Sequence, residues 1–361
     1  MQENLNTMTQ RSDRTARTSP DSLQEGVFEQ NKKKSTLRVV LSTTLKISVT
    51  GGILFYLYQK GMLDFTRVRS VLKEPTIFFT VLLLAGFNTF LGVARWRILL
   101  ESQGIHVKFF ECLRLTMVGL FFNTALPGAV SGDVVKGYYV VRSQPKGSWR
   151  IRAFTTLLLD RILGLSGLIF VSFTAMLLNL SSVLETPSLK PLSGFITALW
   201  VGMALFFAFV LINTPLSRVV QRVLRKLPLG HLFARLFDAV KTYEKCRGRL
   251  LGGLGISILI HCISVTSIWI LAQSLGGFES LRFSQMVFLV PIGLLVTAIP
   301  IAPAGLGTGH YAFYFLLGLV GPKNGADLYT AWVAFQLILS MIGGLFYIRY
   351  REKKVAHPVH S

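Results

Sequence analysis

Asn123-Thr124-Ala125-Leu126-Pro127-Gly128-Ala129-Val130-Ser131-Gly132-Asp133 and Ile299-Pro300-Ile301-Ala302-Pro303-Ala304-Gly305-Leu306-Gly307-Thr308-Gly309-His310 interrupt two apolar tracts that otherwise read as membrane helix. Proline and clustered glycine release backbone N–H and C=O groups from the helical ladder. At membrane depth such groups need partners, so irregular backbone is tolerated only where protein buries it or a wet cavity reaches it. Broken helices of this kind mark substrate sites in transporters. The two stretches predict a polar pathway built into a helical membrane protein.

Composition agrees. Apolar residues make up 51% of the 361, charged residues only 15%, and mean hydropathy is +0.53, values outside the range of ordinary soluble domains. The net charge of +21 is spread over five clusters, Arg11 to Arg38, Arg95 to Arg114, Lys136 to Arg152, Arg218 to Arg249, and Arg349 to Lys354. These alternate with apolar tracts, as the positive-inside bias predicts, and suit anionic lipid. No nucleic-acid motif accompanies them, so nucleic acid is not an expected partner. Cys112, Cys246 and Cys262 are too widely spaced for a zinc site or a disulfide framework; Cys262, in an apolar run, reads as a small buried hydrophobe. There is no GxxxxGK[ST], GxSxG or HExxH pattern. No cofactor, metal or catalytic residue is expected.

Along the chain, residues 1–36 are polar, end in Lys32-Lys33-Lys34 and read as a disordered basic cytoplasmic tail without a cleavable signal. A membrane domain at 37–350 and a short cytoplasmic tail at 351–361 follow. Full spans are expected at 37–59, 75–94, 154–178, 193–213, 250–275 and 327–348. Arg95-Trp96-Arg97 reads as the aromatic and basic interface anchor closing the second of these. Two shorter pairs, 110–126 with a restart near Val134, and 283–299 with 310–320, flank the breaks. The expected fold class is all-α: a polytopic bundle of six full spans and two opposed re-entrant hairpins. The first hairpin enters from the cytoplasm and the second from outside. Both termini then lie on the cytoplasmic side of the inner membrane, and the external loops keep only Lys60, Arg67, Arg69, Lys73, Lys190, Arg282 and Lys323. Within 214–249, Val219, Val220, Val223, Leu224 and Leu227 form one stripe among basic residues, which fits either an interfacial amphipathic helix or a solvated linker.

Asp160-Arg161 lies about ten residues beyond Arg150 in apolar sequence, roughly 15 Å deep at 1.5 Å per residue. Ionisable groups so deep face a cavity or one another. Adjacent helical positions point about 100° apart, so the two should have separate partners. Asp133 suits an N-cap after Ser131-Gly132 and also a carboxylate presented to a cavity. Lys136, one turn on, suits a phosphate or snorkelling to the interface. Gly305, Gly307 and Gly309, before an apolar helix, suit either an anion site of exposed N–H groups or close helix packing. His310 starts that helix; His261 reads as packed inside the bundle.

Asn123-Thr124-Ala125-Leu126-Pro127-Gly128 with Gly132-Asp133 and Lys136, then Asp160-Arg161-Ile162-Leu163-Gly164-Leu165, then Pro303-Ala304-Gly305-Leu306-Gly307, together resemble the lysylphosphatidylglycerol synthase transmembrane-region family, also described as flippase-like membrane proteins. The Arg95-Trp96-Arg97-Ile98-Leu99-Leu100 run fits as well, and the likeness covers about residues 37 to 350. It implies an α-helical bundle that moves lipids or lipid-linked molecules between leaflets. Bifunctional relatives carry a soluble aminoacyl-transferase domain after this region; with the sequence ending at Ser361, that activity is not expected. The resemblance also implies an acidic residue near position 310, where this chain has His310, and Arg at 136, where it has Lys136 without bidentate phosphate geometry.

The expected function is lipid translocation through a polar cleft, with Asn123, Asp133, Lys136, Asp160, Arg161, Gly305, Gly307, Gly309 and His310 as headgroup-binding candidates. The expected partner is a membrane lipid with an anionic or phosphate-bearing headgroup. Alternatives are a membrane-embedded transferase using Asp133, Asp160 or His310, and a non-catalytic partner of a lipid-modifying enzyme.

Overall fold

The computed structural model describes residues 65–125, 131–142, 149–211, 237–299 and 305–356, with the isolated positions Phe55 and Gln59. All belong to one contact unit, Val49–Ser361. The N-terminal tail, the span expected at 37–59 apart from those two positions, the stripe Val219 to Leu227 and residues 357–361 lie outside the described residues.

Every described element is helical. Besides two short 3-10 turns, Pro187–Leu189 and Thr242–Cys246, they are in chain order α1 (Phe65–Lys73), α2 (Pro75–Ser102), α3 (Phe109–Ala125), α4 (Ser131–Arg142), α5 (Trp149–Leu178), α6 (Leu180–Glu185), α7 (Lys190–Leu211), α8 (Arg247–Leu275), α9 (Phe283–Thr297), α10 (Thr308–Gly318) and α11 (Gly325–Ala356). Among the described residues, five stretches are long and apolar enough to cross a membrane: α2, α5, Pro187–Leu211 with α7, Phe237–Leu275 with α8, and Gly325–Ile348 within α11. Pro75 opens α2, where its missing N–H is no loss. Gly276 and Gly277 end α8 with φ of 67° and 80°, a left-handed stop natural to glycine. Asn324 Nδ2 ties that stop to α11 by donating to the Gly276 carbonyl at 2.9 Å.

The shorter helices come as two antiparallel pairs. In the first, Asn123 of α3 lies beside Gly132 of α4, and Gly119 lies beside Lys136, so α4 returns toward the end from which α3 came. In the second, Thr297 of α9 meets Gly305, and Gly293 meets Phe313 of α10. With 12 and 11 residues, α4 and α10 are each less than roughly 20 Å long, short of the roughly 30 Å of hydrocarbon. Helix α11 backs both pairs. Its Gly343 rests on the Met117 backbone, Gly344 on Phe121, and Gly325 on the Phe313 backbone, the close approach that small residues permit.

The largest apolar cluster fills the end of the bundle built by α9, α10 and the start of α11, while two smaller clusters flank the C-terminal half of α2. Three expectations change. Helix α2 runs on to Ser102, and Trp96 is buried instead of anchoring an interface, because Leu99 and Leu100 beyond it are buried too. The loop expected before α2 contains α1, which buries Val68 and Val71. Cys262 is exposed on α8; hydropathy does not distinguish a lipid-facing position from a core-facing one.

Candidate functional site

Side-chain hydrogen bonds join the end of α3 to the start of α4. Asn123 Oδ1 accepts the Gly132 N–H at 2.7 Å, and Ser131 Oγ donates to the Phe122 carbonyl at 2.8 Å. Gly132 touches the Gly119 carbonyl so closely that a Cβ has no room. This close seating places Asp133, the third residue of α4, inside the bundle with its side chain 8% exposed.

Asp133 divides its two oxygens between cations from two helices. Oδ2 accepts from Arg161 of α5, at 2.6 Å from Nε and 2.5 Å from Nη2, and Oδ1 pairs with Lys136 Nζ at 3.2 Å. Lys136 Nζ also sits 5.0 Å from the centre of the Trp96 ring of α2, within cation–π range. Asp160 points elsewhere, toward α2, and takes Arg95 Nε at 2.8 Å; Arg95 Nη1 donates to Ser257 Oγ of α8 at the same distance. The neighbours Asp160 and Arg161 thus do have separate partners, and five charged residues on three helices alternate in sign. Asp160 and Arg95 neutralise each other. Lys136 and Arg161 both pair with Asp133.

This cluster opens on one side. Arg161 is 46% exposed where its partner Asp133 is buried, and both line a cavity of about 380 Å³ between α4 and α5. The volume falls within the range of small-ligand sites. Its walls are apolar, including Gly137, Val141, Leu157 and Leu158, and Arg150 stands at its other end. Arg161 lies eleven positions beyond Arg150 on α5, roughly 16 Å along the helix. The rim residues Val134, Tyr138 and Phe154 are exposed, so the trench opens sideways from the bundle. Gly137 packs against Leu157 at its floor.

The second pair is built differently. The Gly307 N–H donates to His310 Nδ1 at 3.1 Å, so His310 caps its own helix while 2% exposed. Its ring meets Tyr329 of α11 edge-on at 4.8 Å, and Gly309 lies directly on that Tyr329 ring. Tyr329 Oη donates to the Gly305 carbonyl at 3.4 Å. Gly305 and Gly307 have φ of 70° and 83°, the left-handed conformation that glycine adopts freely. Gly305, Gly307, Gly309 and His310 therefore share one tightly packed turn apart from the α4–α5 trench. His261 lies in the bundle as expected, its Nε2 2.8 Å from the Gly164 carbonyl.

Of the residues picked from sequence, Asp133, Lys136 and Arg161 meet, Asn123 braces the helix that carries Asp133, and Asp160 faces α2 instead. Arg95, Trp96 and Ser257 were missed. One signal in the sequence bore on Arg95: deep Asp160 required a cation.

The model described as "Lysylphosphatidylglycerol synthase TM region" matches residues 39–344, most of the chain. The chain belongs to this family. It is similar to "UPF0104 membrane protein PH1989" of Pyrococcus horikoshii, 20% identical over 356 residues, covering 90% of this chain and 99% of that one. Family and apolar helices together make it a multi-pass membrane protein.

Proposed function

We propose that the protein moves lipids with an anionic, phosphate-bearing headgroup between leaflets, using the α4–α5 trench as the headgroup path. The reading rests on one observation: two cations and a carboxylate drawn together at the wall of an apolar trench, with half-exposed Arg161 among the residues that line it. A charge carried into hydrocarbon is costly unless paired. A headgroup phosphate would pair with Arg161 while acyl chains stay beside the exposed rim. Arg150 would receive the headgroup at the trench mouth, and Arg161 would hold it at mid-depth by exchanging part of its bond to Asp133. Guanidinium suits this exchange because its fork can serve two oxygen partners at once.

The orientation in this proposal puts the trench mouth and the basic ends of α2, α4, α5 and α8 in the cytoplasm of the inner membrane. Both helix pairs are re-entrant hairpins entering from opposite sides. The transferase alternative has less support, because Asp133, Asp160 and His310 are each committed to a partner.

Reconstitution into vesicles carrying labelled phosphatidylglycerol, phosphatidylethanolamine or phosphatidylcholine tests the proposal through leaflet-exchange rates. Faster exchange of the anionic lipid by wild type, reduced to the protein-free rate by Asp133→Asn with Arg161→Gln, is the expected result. Equal rates for wild type and the double variant would refute the assignment.

A further inference from the structure

Helix α1 takes no part in the trench. Val68 and Val71 are buried, and the helix packs on α11 and α8. Arg67, Arg69, Ser70 and Lys73 are exposed on the rest of its circumference. This nine-residue helix buries two valines against the bundle and turns three cations outward, which makes a compact basic surface. Its position sets the level of that surface. Glu74 alone separates it from Pro75, and that residue is extended, with φ −79° and ψ 107°, because a residue before proline leaves the helical region. The axis therefore breaks at the point where the apolar crossing helix α2 begins, and α1 sits at the membrane boundary.

We infer that the outward face of α1 is a binding surface for anionic lipid headgroups, engaged by Arg67, Arg69 and Lys73. It lies at the opposite end of the bundle from the mouth of the trench, since the start of α2 and the start of α5 are at opposite ends. The surface gathers lipid phosphates in that leaflet, whatever passes through the trench. A membrane is favoured over a soluble acidic partner by the chain turn at Glu74, which holds the cations at headgroup level. Each cation beside an anionic surface enriches it by about fivefold, and the effect falls within a Debye length, about 8 Å in physiological salt.

The test uses the full chain carrying Ser70→Cys, Cys246→Ser and Cys262→Ser, leaving buried Cys112, labelled with a fluorophore and placed in nanodiscs of mixed phosphatidylglycerol and phosphatidylcholine. Quenching by spin-labelled phosphatidylglycerol is expected to exceed that by spin-labelled phosphatidylcholine at least threefold. Molar salt should shrink the difference, and adding Arg67→Gln, Arg69→Gln and Lys73→Gln should abolish it. Equal quenching by the two lipids overturns the inference, as does a preference that survives the triple substitution. A label reached by aqueous iodide but by neither lipid also overturns it, and would assign the face to a soluble partner. None of these readouts depends on lipid exchange.

Discussion

Asp133 and His310 occupy the same place in two similar devices. Each is the third residue of the helix that follows a proline–glycine break, preceded by Ser131-Gly132 in one case and Thr308-Gly309 in the other. Each glycine sits against a neighbour that leaves no room for a Cβ, the Gly119 carbonyl or the Tyr329 ring. The third side chain then decides what the device does. Asp133 reaches outward to Lys136 and to Arg161, which lines the trench. His310 turns back to the Gly307 N–H and closes its own turn. Similar breaks thus serve a charged opening in one pair and a packed joint in the other.

If the first pair carries the substrate and the second braces it, the largest difference should come from Arg161→Ala against His310→Ala. Loss of two charge-assisted bonds to a phosphate, each about 1.5 kcal/mol or more, predicts a fall in anionic-lipid exchange of roughly a hundredfold. His310→Ala should stay within about twofold once reconstituted amounts are matched. A comparable fall in both would erase the distinction between the pairs. Asp133→Ala comes next, and acts on stability. It leaves two cations facing each other, and stranding buried charge costs about 3–5 kcal/mol. Adding Lys136→Gln should restore about half of the loss in melting temperature. No restoration would mean that Asp133 acts through its helix end rather than through the cations.

Much of this arrangement was legible in sequence, within limits set by distance along the chain. Helix ends follow local signals such as Pro75, Gly276 and the two breaks, and these were readable. Depth along a helix is a matter of counting, which is why Asp160-Arg161 stood out and why their separate partners followed from geometry. Partner identity is not local. Nothing near Asp160 names Arg95, 65 positions away, and Arg95-Trp96-Arg97 imitates an interface anchor until Leu99 and Leu100 prove to be buried. The glycine run left packing and anion binding open for the same reason, since the group that fills it, Tyr329, lies beyond the next helix. Hydropathy cannot say which break opens on a trench, because lipid and protein core are equally apolar.

Gly309→Ala tests the packed joint. Its new methyl would meet the Tyr329 ring, and overpacking of this kind costs about 1–3 kcal/mol. The melting temperature should fall by several degrees, and Tyr329→Leu in the same chain should recover most of it. If Gly309→Ala melts like wild type, the joint is looser than the structure indicates, and the glycine N–H groups would regain their claim to an anion.

The smallest effect expected is that of His310→Glu. The Gly307 N–H needs an acceptor at position 310, and a glutamate at the third position of a helix reaches back to the same N–H in a capping box. The added negative charge also lies at the positive end of the α10 dipole, a favourable term of about 0.3–1 kcal/mol. Burial opposes it, because the position is nearly closed to solvent, and the two contributions should leave the melting temperature within about two degrees of wild type. His310→Ala lacks any acceptor and should lose about 1 kcal/mol, the usual value of a cap. The ordering Glu near His, both above Ala, with lipid exchange unchanged throughout, would mark the position as a cap. An exchange rate that rises with Glu would instead make the second pair part of the path and dissolve the contrast with Asp133.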